Sequence, residues 1–86
     1  MGAGIAAVII RREKDMVEHF VQQRATSVDT AQSLDGLRIE HNMIFRRLED
    51  RAVIRQGAGG TYYLDEPSWK AVRRTRQRML TVVVVI

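Results

Sequence analysis

The reactive side chains of this chain are mainly cations and carboxylates, and none is spaced like a catalytic or metal site. There is no cysteine, so thiol nucleophiles, disulfides and cysteine-based metal sites are excluded. The two histidines, His19 and His41, lack the HExxH spacing of zinc enzymes. No serine occupies a nucleophile elbow, and no pair of carboxylates has a spacing suited to acid–base catalysis. We therefore expect a protein that binds a partner, catalyses nothing and needs no cofactor.

The excess of positive charge is the feature that indicates a partner. The net charge is +4 and the pI is about 10.3, which suits nucleic acid or an acidic membrane surface. One group of candidate DNA-contact residues lies mid-chain: Asn42, Arg46, Arg47 and Arg55. The arginines could meet phosphates or guanine, and the amide could pair with adenine. Glu49 and Asp50 share or flank the same face and would be repelled by phosphate, and the following glycine turn carries no charge.

A second basic group precedes an apolar tail at the end of the sequence. The candidate membrane or partner contacts are Lys70, Arg73, Arg74, Arg76, Arg78, Val82, Val83, Val84, Val85 and Ile86. Basic residues beside an apolar segment mark the cytoplasmic side of a membrane. The tail is then the beginning of a transmembrane helix, or it enters a membrane interface or packs on another protein. The alternative is a β-strand that pairs with Ala6–Ile10 or with the hairpin, and we favour membrane or partner burial.

The start of the chain is apolar and uncharged up to Arg11. Its charges follow the apolar run, unlike those of a secretory signal, and the run is too short to cross a bilayer. Residues 1–11 are therefore an apolar arm, a strand or the start of the first helix. The apolar positions Met16, Val17, Phe20 and Val21 predict an amphipathic helix over 12–24, although Glu13 interrupts the apolar stripe.

The middle of the chain predicts a mainly α protein with a small β-hairpin, of the α+β class. A short helix over 30–34 is followed by a turn at 35–36 and by a helix over 39–52, whose spacing places Ile44, Phe45, Leu48 and Ala52 on the inward face. Strands over 53–56 and 61–64 flank a glycine turn, and a last helix starts at 65–67 with an acidic cap. We divide the chain into the apolar segment 1–11, a domain over 12–66 and a basic helix with an apolar tail over 67–86.

This order of elements, and above all the segment FRRLEDRAVIRQGAGGTYYL over 45–64, resembles the winged helix-turn-helix. The resemblance implies a three-helix core, a two-stranded wing, a basic C-terminal helix, and a third helix whose outer face enters the DNA major groove. Such domains usually carry glycine where this sequence has Ala52. A left-handed alanine would be strained by roughly 1 kcal/mol, so we expect a differently shaped helix end.

The whole chain also resembles short uncharacterised bacterial proteins with a winged-helix-like head followed by a membrane segment. Residues 1–4, 26–27, 63–65 and 73–86 carry this likeness. The likeness supplies no activity. The basic helix and apolar tail over 70–86 lead us to expect a membrane-associated accessory or scaffolding protein, in the cytoplasm or at the inner face of the cytoplasmic membrane. Its expected partners are a protein, an anionic membrane surface or both, and no small-molecule substrate. The alternative is a DNA-binding winged-helix transcriptional regulator that binds duplex DNA.

Overall fold

The computed structural model describes the backbone of residues 2–85 and the side chains of residues 4–79. Within that range the chain is mainly helical with a small three-stranded antiparallel sheet, which confirms the α+β class. The helices are α1 (Gly2–Gln22), α2 (Leu34–Leu37), α3 (Met43–Asp50) and α4 (Glu66–Val85). The strands are β1 (Gln32–Ser33), β2 (Ile54–Gln56) and β3 (Thr61–Leu64), and 3-10 turns occupy Val28–Thr30 and Ala58–Gly60.

The predicted hairpin is present, and a third strand joins it. β3 lies between β1 and β2 and is antiparallel to both, with Tyr62 opposite Gln56 on one side and Gln32 on the other. Gly59 and Gly60 of the connecting turn have φ of 62° and 76°, a backbone conformation that glycine adopts without steric cost.

The predicted helix over 30–34 was wrong. Ser27 and Thr30 cap each other's backbone N–H groups, which closes a single 3-10 turn instead of starting an α-helix. Gln32 then pairs with β3, and its side-chain amide donates to the Gln23 carbonyl oxygen at 2.8 Å. Only after this strand does Ser33 cap the one-turn helix α2.

Both strand alternatives at the ends of the chain were also wrong, because residues 6–10 belong to α1 and residues 81–85 to α4. A helix that is already formed adds one hydrogen bond for each residue it fixes, whereas a strand needs a partner strand. The apolar segment at the beginning is therefore the start of the first helix.

The core lies between α1, α3, the sheet and the first turns of α4. Its buried members are Val17, Phe20, Ala25, Leu37, Ile44, Phe45, Leu48, Val53, Ile54, Leu64 and Trp69. Phe45 packs edge-on against Tyr62, with ring centroids 5.1 Å apart. The inward positions predicted for α3 are confirmed at 44, 45 and 48, while Ala52 is exposed.

The end of α3 has the shape expected of a glycine, although alanine occupies it. Ala52 is left-handed at φ 60°; its N–H donates to the Glu49 carbonyl and the N–H of Val53 donates to Leu48. This pair of bonds is a Schellman motif. The expectation of a differently shaped end was wrong, because the motif places the fully buried Val53 in the core.

α1 and α4 meet through side chains at two places, and the order of these contacts shows that the helices run in opposite directions. Val17 and Trp69 line one groove between them, and Glu13, a turn earlier on α1, contacts Arg76, two turns later on α4. The first turns of α1 and the last turns of α4 therefore lie at the same end of a molecule that measures 48 × 25 × 21 Å.

Candidate functional site

A charged cluster joins α1, α3 and α4 around the carboxylate of Glu13, whose exposed fraction is 0%. Arg47 of α3 donates through Nε to Oε1 at 2.9 Å, and Arg76 of α4 donates through Nη2 to Oε2 at 2.6 Å. Arg51, just after α3, places Nη1 3.9 Å from Oε2, which is an ion pair without a hydrogen bond. We call these four residues the Glu13 cluster.

The pKa of Glu13 reflects opposing effects. Burial alone raises the pKa, but hydrogen bonds from Arg76 and Arg47, with the charges of Arg76 and Arg51, lower it further than burial raises it. The carboxylate is therefore ionised at neutral pH, and three cations around one anion leave the Glu13 cluster with two positive charges in excess. Arg76 also stacks over Trp69, with its Cζ 5.9 Å from the ring centroid.

The sequence contained a signal for this cluster that our predictions did not use. Glu13 interrupts the apolar stripe of α1, and Arg76 falls on the apolar side of α4. Opposite charges on two core-facing stripes are a pattern typical of a buried ion pair. The two residues are 63 positions apart, so their partnership required the packing of the helices.

The four candidate DNA contacts have different surroundings. Arg47 is bound to Glu13. Arg55 donates to the Ala52 carbonyl oxygen and to the Ser68 hydroxyl, and it lies 3.3 Å from the Asp65 carboxylate.

The other two candidates lie on α3 or at its start. Asn42 caps the helix, because its Oδ1 accepts the N–H of Phe45 at 3.0 Å. Arg46 is exposed and makes no ion pair within the described part of the chain. Of the four candidate DNA contacts, Arg46 is therefore the one cation on the outer face of α3 that makes no ion pair with the described residues.

The candidate membrane contacts on α4 divide in a similar way. Lys70, Arg73, Arg74 and Arg78 are exposed, whereas Arg76 is bound to Glu13. The candidates Val82, Val83, Val84 and Val85 are helical, but their side chains, and all of Ile86, lie outside the described residues.

Exposed apolar side chains mark the end of the molecule where α1 begins and α4 finishes. The exposed fractions are 68% for Ile5, 51% for Val8, 45% for Ile10 and 65% for Met79. We call residues 2–10 and 79–85 the apolar end. Its neighbours towards the core are exposed arginines, the basic collar: Arg11, Arg12, Arg74 and Arg78. The sequence has no acidic residue in 1–12 or in 67–86, so nothing in those segments offsets the collar.

Both histidines make contacts that hold the fold together. His19 Nε2 lies 2.5 Å from the Leu37 carbonyl oxygen, which ties α1 to α2, and the ring of His41 packs against Phe45. Among the residues that the structure describes, no three His, Asp or Glu side chains come together in a way that would hold a metal ion.

No protein-family model, curated protein or solved structure matches this chain. Within residues 2–85, none of the helices combines the length and the apolar character needed to cross a membrane. The surfaces that remain for a functional argument are the apolar end with its basic collar, the Glu13 cluster, and the outer face of α3.

Proposed function

We propose that this protein is a non-catalytic module that binds anionic membrane surfaces through its apolar end, and that it serves there as an accessory or scaffolding protein. The observation that supports this most is the coincidence of exposed Ile5, Val8 and Met79 with a collar of arginines at one end of the molecule. Apolar side chains favour the acyl region, and arginines beside them favour anionic headgroups.

The dimensions suit entry into one leaflet. Residues 2–10 of α1 span about 13 Å at 1.5 Å per residue, close to half of the ~30 Å hydrocarbon core. Burying one valine or isoleucine side chain contributes ~1.5–3 kcal/mol, and each collar arginine near an anionic surface contributes ~1 kcal/mol. Together these contributions support reversible binding with the rest of the protein on the cytosolic side.

The remainder of the protein forms the head in this proposal. Its order of helices and strands, with α3 followed by the β2–β3 hairpin, resembles a winged helix, and the exposed faces of that head would contact the protein partner. The fold likeness alone does not indicate which partner that is.

Vesicle flotation of the full chain tests the proposal. We expect binding to anionic vesicles that weakens by about 100-fold in the double variant Ile5→Ser, Val8→Ser, because each change removes an apolar side chain from the acyl region. The matched control is Val28→Ser with Met43→Ser, which alters two exposed apolar residues of the head, at 59% and 53% exposure. Equal binding by the two double variants, or no flotation of the parent protein with anionic vesicles, would contradict the proposal. Recovery of the natively expressed protein wholly in the soluble fraction of cells would do so too.

The second candidate is a DNA-binding transcriptional regulator, favoured by the exposed and unpaired Arg46 on α3. It predicts salt-dependent binding to duplex DNA that weakens in Arg46→Ala. Binding through this face would rest on few cations, because Arg47 and Arg55 are held by carboxylates of the protein itself. Absence of duplex binding at low salt removes this candidate.

A further inference from the structure

A groove beside the Glu13 cluster is the feature from which we infer a ligand. It is lined by Arg51, Ser68, Val72, Thr75, Arg76 and Met79 and has a volume of about 410 Å³. That volume falls at the lower end of the ~300–1,000 Å³ of small-molecule sites. Arg51 and Arg76 make one side of the groove cationic. The other side is the face of α4 that leads to the apolar end.

The positive charge in this groove is not neutralised by the protein. Arg47 and Arg76 satisfy the Glu13 carboxylate with hydrogen bonds, while Arg51 stays 3.9 Å away from it. Within the described residues, the guanidinium of Arg51 donates no hydrogen bond, and the side chain is 41% exposed. A guanidinium held next to two others, with unused donors directed to a groove, is a site for an added anion.

The two hydroxyls of the groove are already engaged as donors. Ser68 Oγ donates to the Asp65 carboxylate, and Thr75 Oγ1 donates to the Ala71 carbonyl at 3.0 Å. Recognition of the anion therefore falls to Arg51 and Arg76. The Glu13 cluster has two positive charges in excess, and two of its guanidiniums line the groove. This matches a phosphate group, which accepts paired N–H···O bonds and carries up to two negative charges.

We propose that Arg51 and Arg76 bind the phosphate of an anionic lipid headgroup, with the rest of the lipid directed along α4 past Met79. This inference rests on the proposed membrane function and assigns it a headgroup site. The position of the groove supports a lipid over a free phosphate, because Met79 belongs both to the groove and to the apolar end.

The test compares two variants that each remove one exposed arginine. Arg51→Gln removes the groove guanidinium that makes no hydrogen bond to Glu13, and Arg78→Gln removes a collar arginine outside the groove. Full-chain protein is titrated with phosphatidylcholine vesicles given equal negative charge either by phosphatidic acid or by a fatty acid. Trp69 is the sole tryptophan and lies against Arg76, so its fluorescence reports on the site.

We expect Arg51→Gln to weaken binding to the phosphatidic acid vesicles by much more than about tenfold, and binding to the fatty acid vesicles by no more than the about fivefold expected for the loss of one surface charge. Arg78→Gln should weaken binding to both kinds of vesicle alike, by about fivefold, as a general loss of surface charge does. Equal weakening of both kinds by Arg51→Gln overturns the headgroup site while leaving the membrane function in place.

A titration of the same protein with inorganic phosphate, followed through the arginine side-chain resonances, separates the sources of the anion. Saturable shifts at Arg51 and Arg76 together with vesicle binding support the lipid site. The same shifts without vesicle binding assign the groove to a free phosphate and overturn both the lipid source and the proposed function. If the protein instead binds duplex DNA and not vesicles, and Arg51→Gln weakens the DNA binding, the lipid source and the proposed function are also overturned. Absence of phosphate shifts and of vesicle binding overturns both proposals.

Discussion

The carboxylate of Glu13 connects segments that are far apart in the sequence, and it does so without exposure to solvent. Removing a carboxylate from water costs several kcal/mol, and the attraction of its partners has to offset that cost. Two short hydrogen bonds and a third cation provide the offset here. All three arginines keep part of their side chains in water, between 23% and 41%, so their own desolvation is limited. The cluster therefore joins α1, the end of α3 and α4 through a single carboxylate.

Replacing that carboxylate should destabilise the protein strongly. We expect Glu13→Gln to lower the free energy of unfolding by about 2–4 kcal/mol in urea titrations at pH 7, because three arginines then lack their counter-charge. The partial exposure of the arginines places the effect somewhat below that of a fully buried pair. The control is Glu18→Gln, an exposed glutamate on the same helix, which should change stability by less than ~0.5 kcal/mol.

The same comparison has a definite pH dependence. The pKa of Glu13 in the folded protein is below the ordinary 4.5, so its contribution is complete above that value and is lost as the pH falls through the lowered pKa. The difference between the parent protein and Glu13→Gln should therefore shrink at acid pH. A difference that stays constant down to the acid transition would show that the ionised carboxylate is not its source.

At the scale of the secondary-structure elements, three helices end in the same way, each with a residue other than glycine in the left-handed conformation. Arg24, Arg38 and Ala52 have φ of 60°, 57° and 60°, and the next residue in each case directs its N–H back to the helix. Those next residues are Ala25, Ile39 and Val53, which belong to the core or pack against it. Burial of the following residue therefore outweighs the steric cost at each end.

That cost can be measured at Ala52, whose side chain is a single exposed methyl group. We expect Ala52→Gly to stabilise the protein by about 0.5–1 kcal/mol, because relief of the left-handed strain exceeds the entropy that glycine adds to the unfolded chain. The control is Ala58→Gly, at an exposed alanine without a positive φ, which should destabilise by a similar amount. Destabilisation in both variants, seen in denaturant titrations, would argue against the left-handed end of α3.

The elements that sequence patterns predicted are those whose signal is local. The apolar spacing of 44, 45 and 48 gave α3, the glycine turn with its flanking residues gave β2 and β3, and Asp65 to Pro67 gave the start of α4. β1 escaped prediction because two residues carry no periodicity and exist as a strand only through pairing with β3.

The candidate sites also divide into features with a local sequence signal and features that depend on contacts made by folding. Exposure of Arg46 followed from helical spacing, but the partners of Arg47, Arg55 and Arg76 did not. Each of those partners is a carboxylate brought near by folding. A cation count along a helix therefore overstates the charge that is available to a phosphate or a membrane.

On the scale of the whole molecule, the arrangement of charge and apolar surface has a direction. The apolar end lies beyond the basic collar, and the core with the sheet lies on the other side of it. Because Trp69 precedes Met79 by ten residues on α4, its ring lies about 15 Å along the helix from the start of the apolar end. A protein that enters a leaflet by its apolar end thus holds this tryptophan near the headgroups or above them.

This orientation predicts a gradient of quenching by brominated acyl chains. In anionic vesicles we expect little quenching of native Trp69, which is 8% exposed and lies in the core. An indole introduced by Ile5→Trp in a Trp69→Phe background should be quenched strongly, because that position lies in the acyl region. Val28→Trp in the same background is the control, at an exposed position of the head, and should not be quenched. Equal quenching at all three positions would mean that the protein lies flat on the bilayer, in which case the collar and the apolar end would share one depth and the upright arrangement would have to be abandoned.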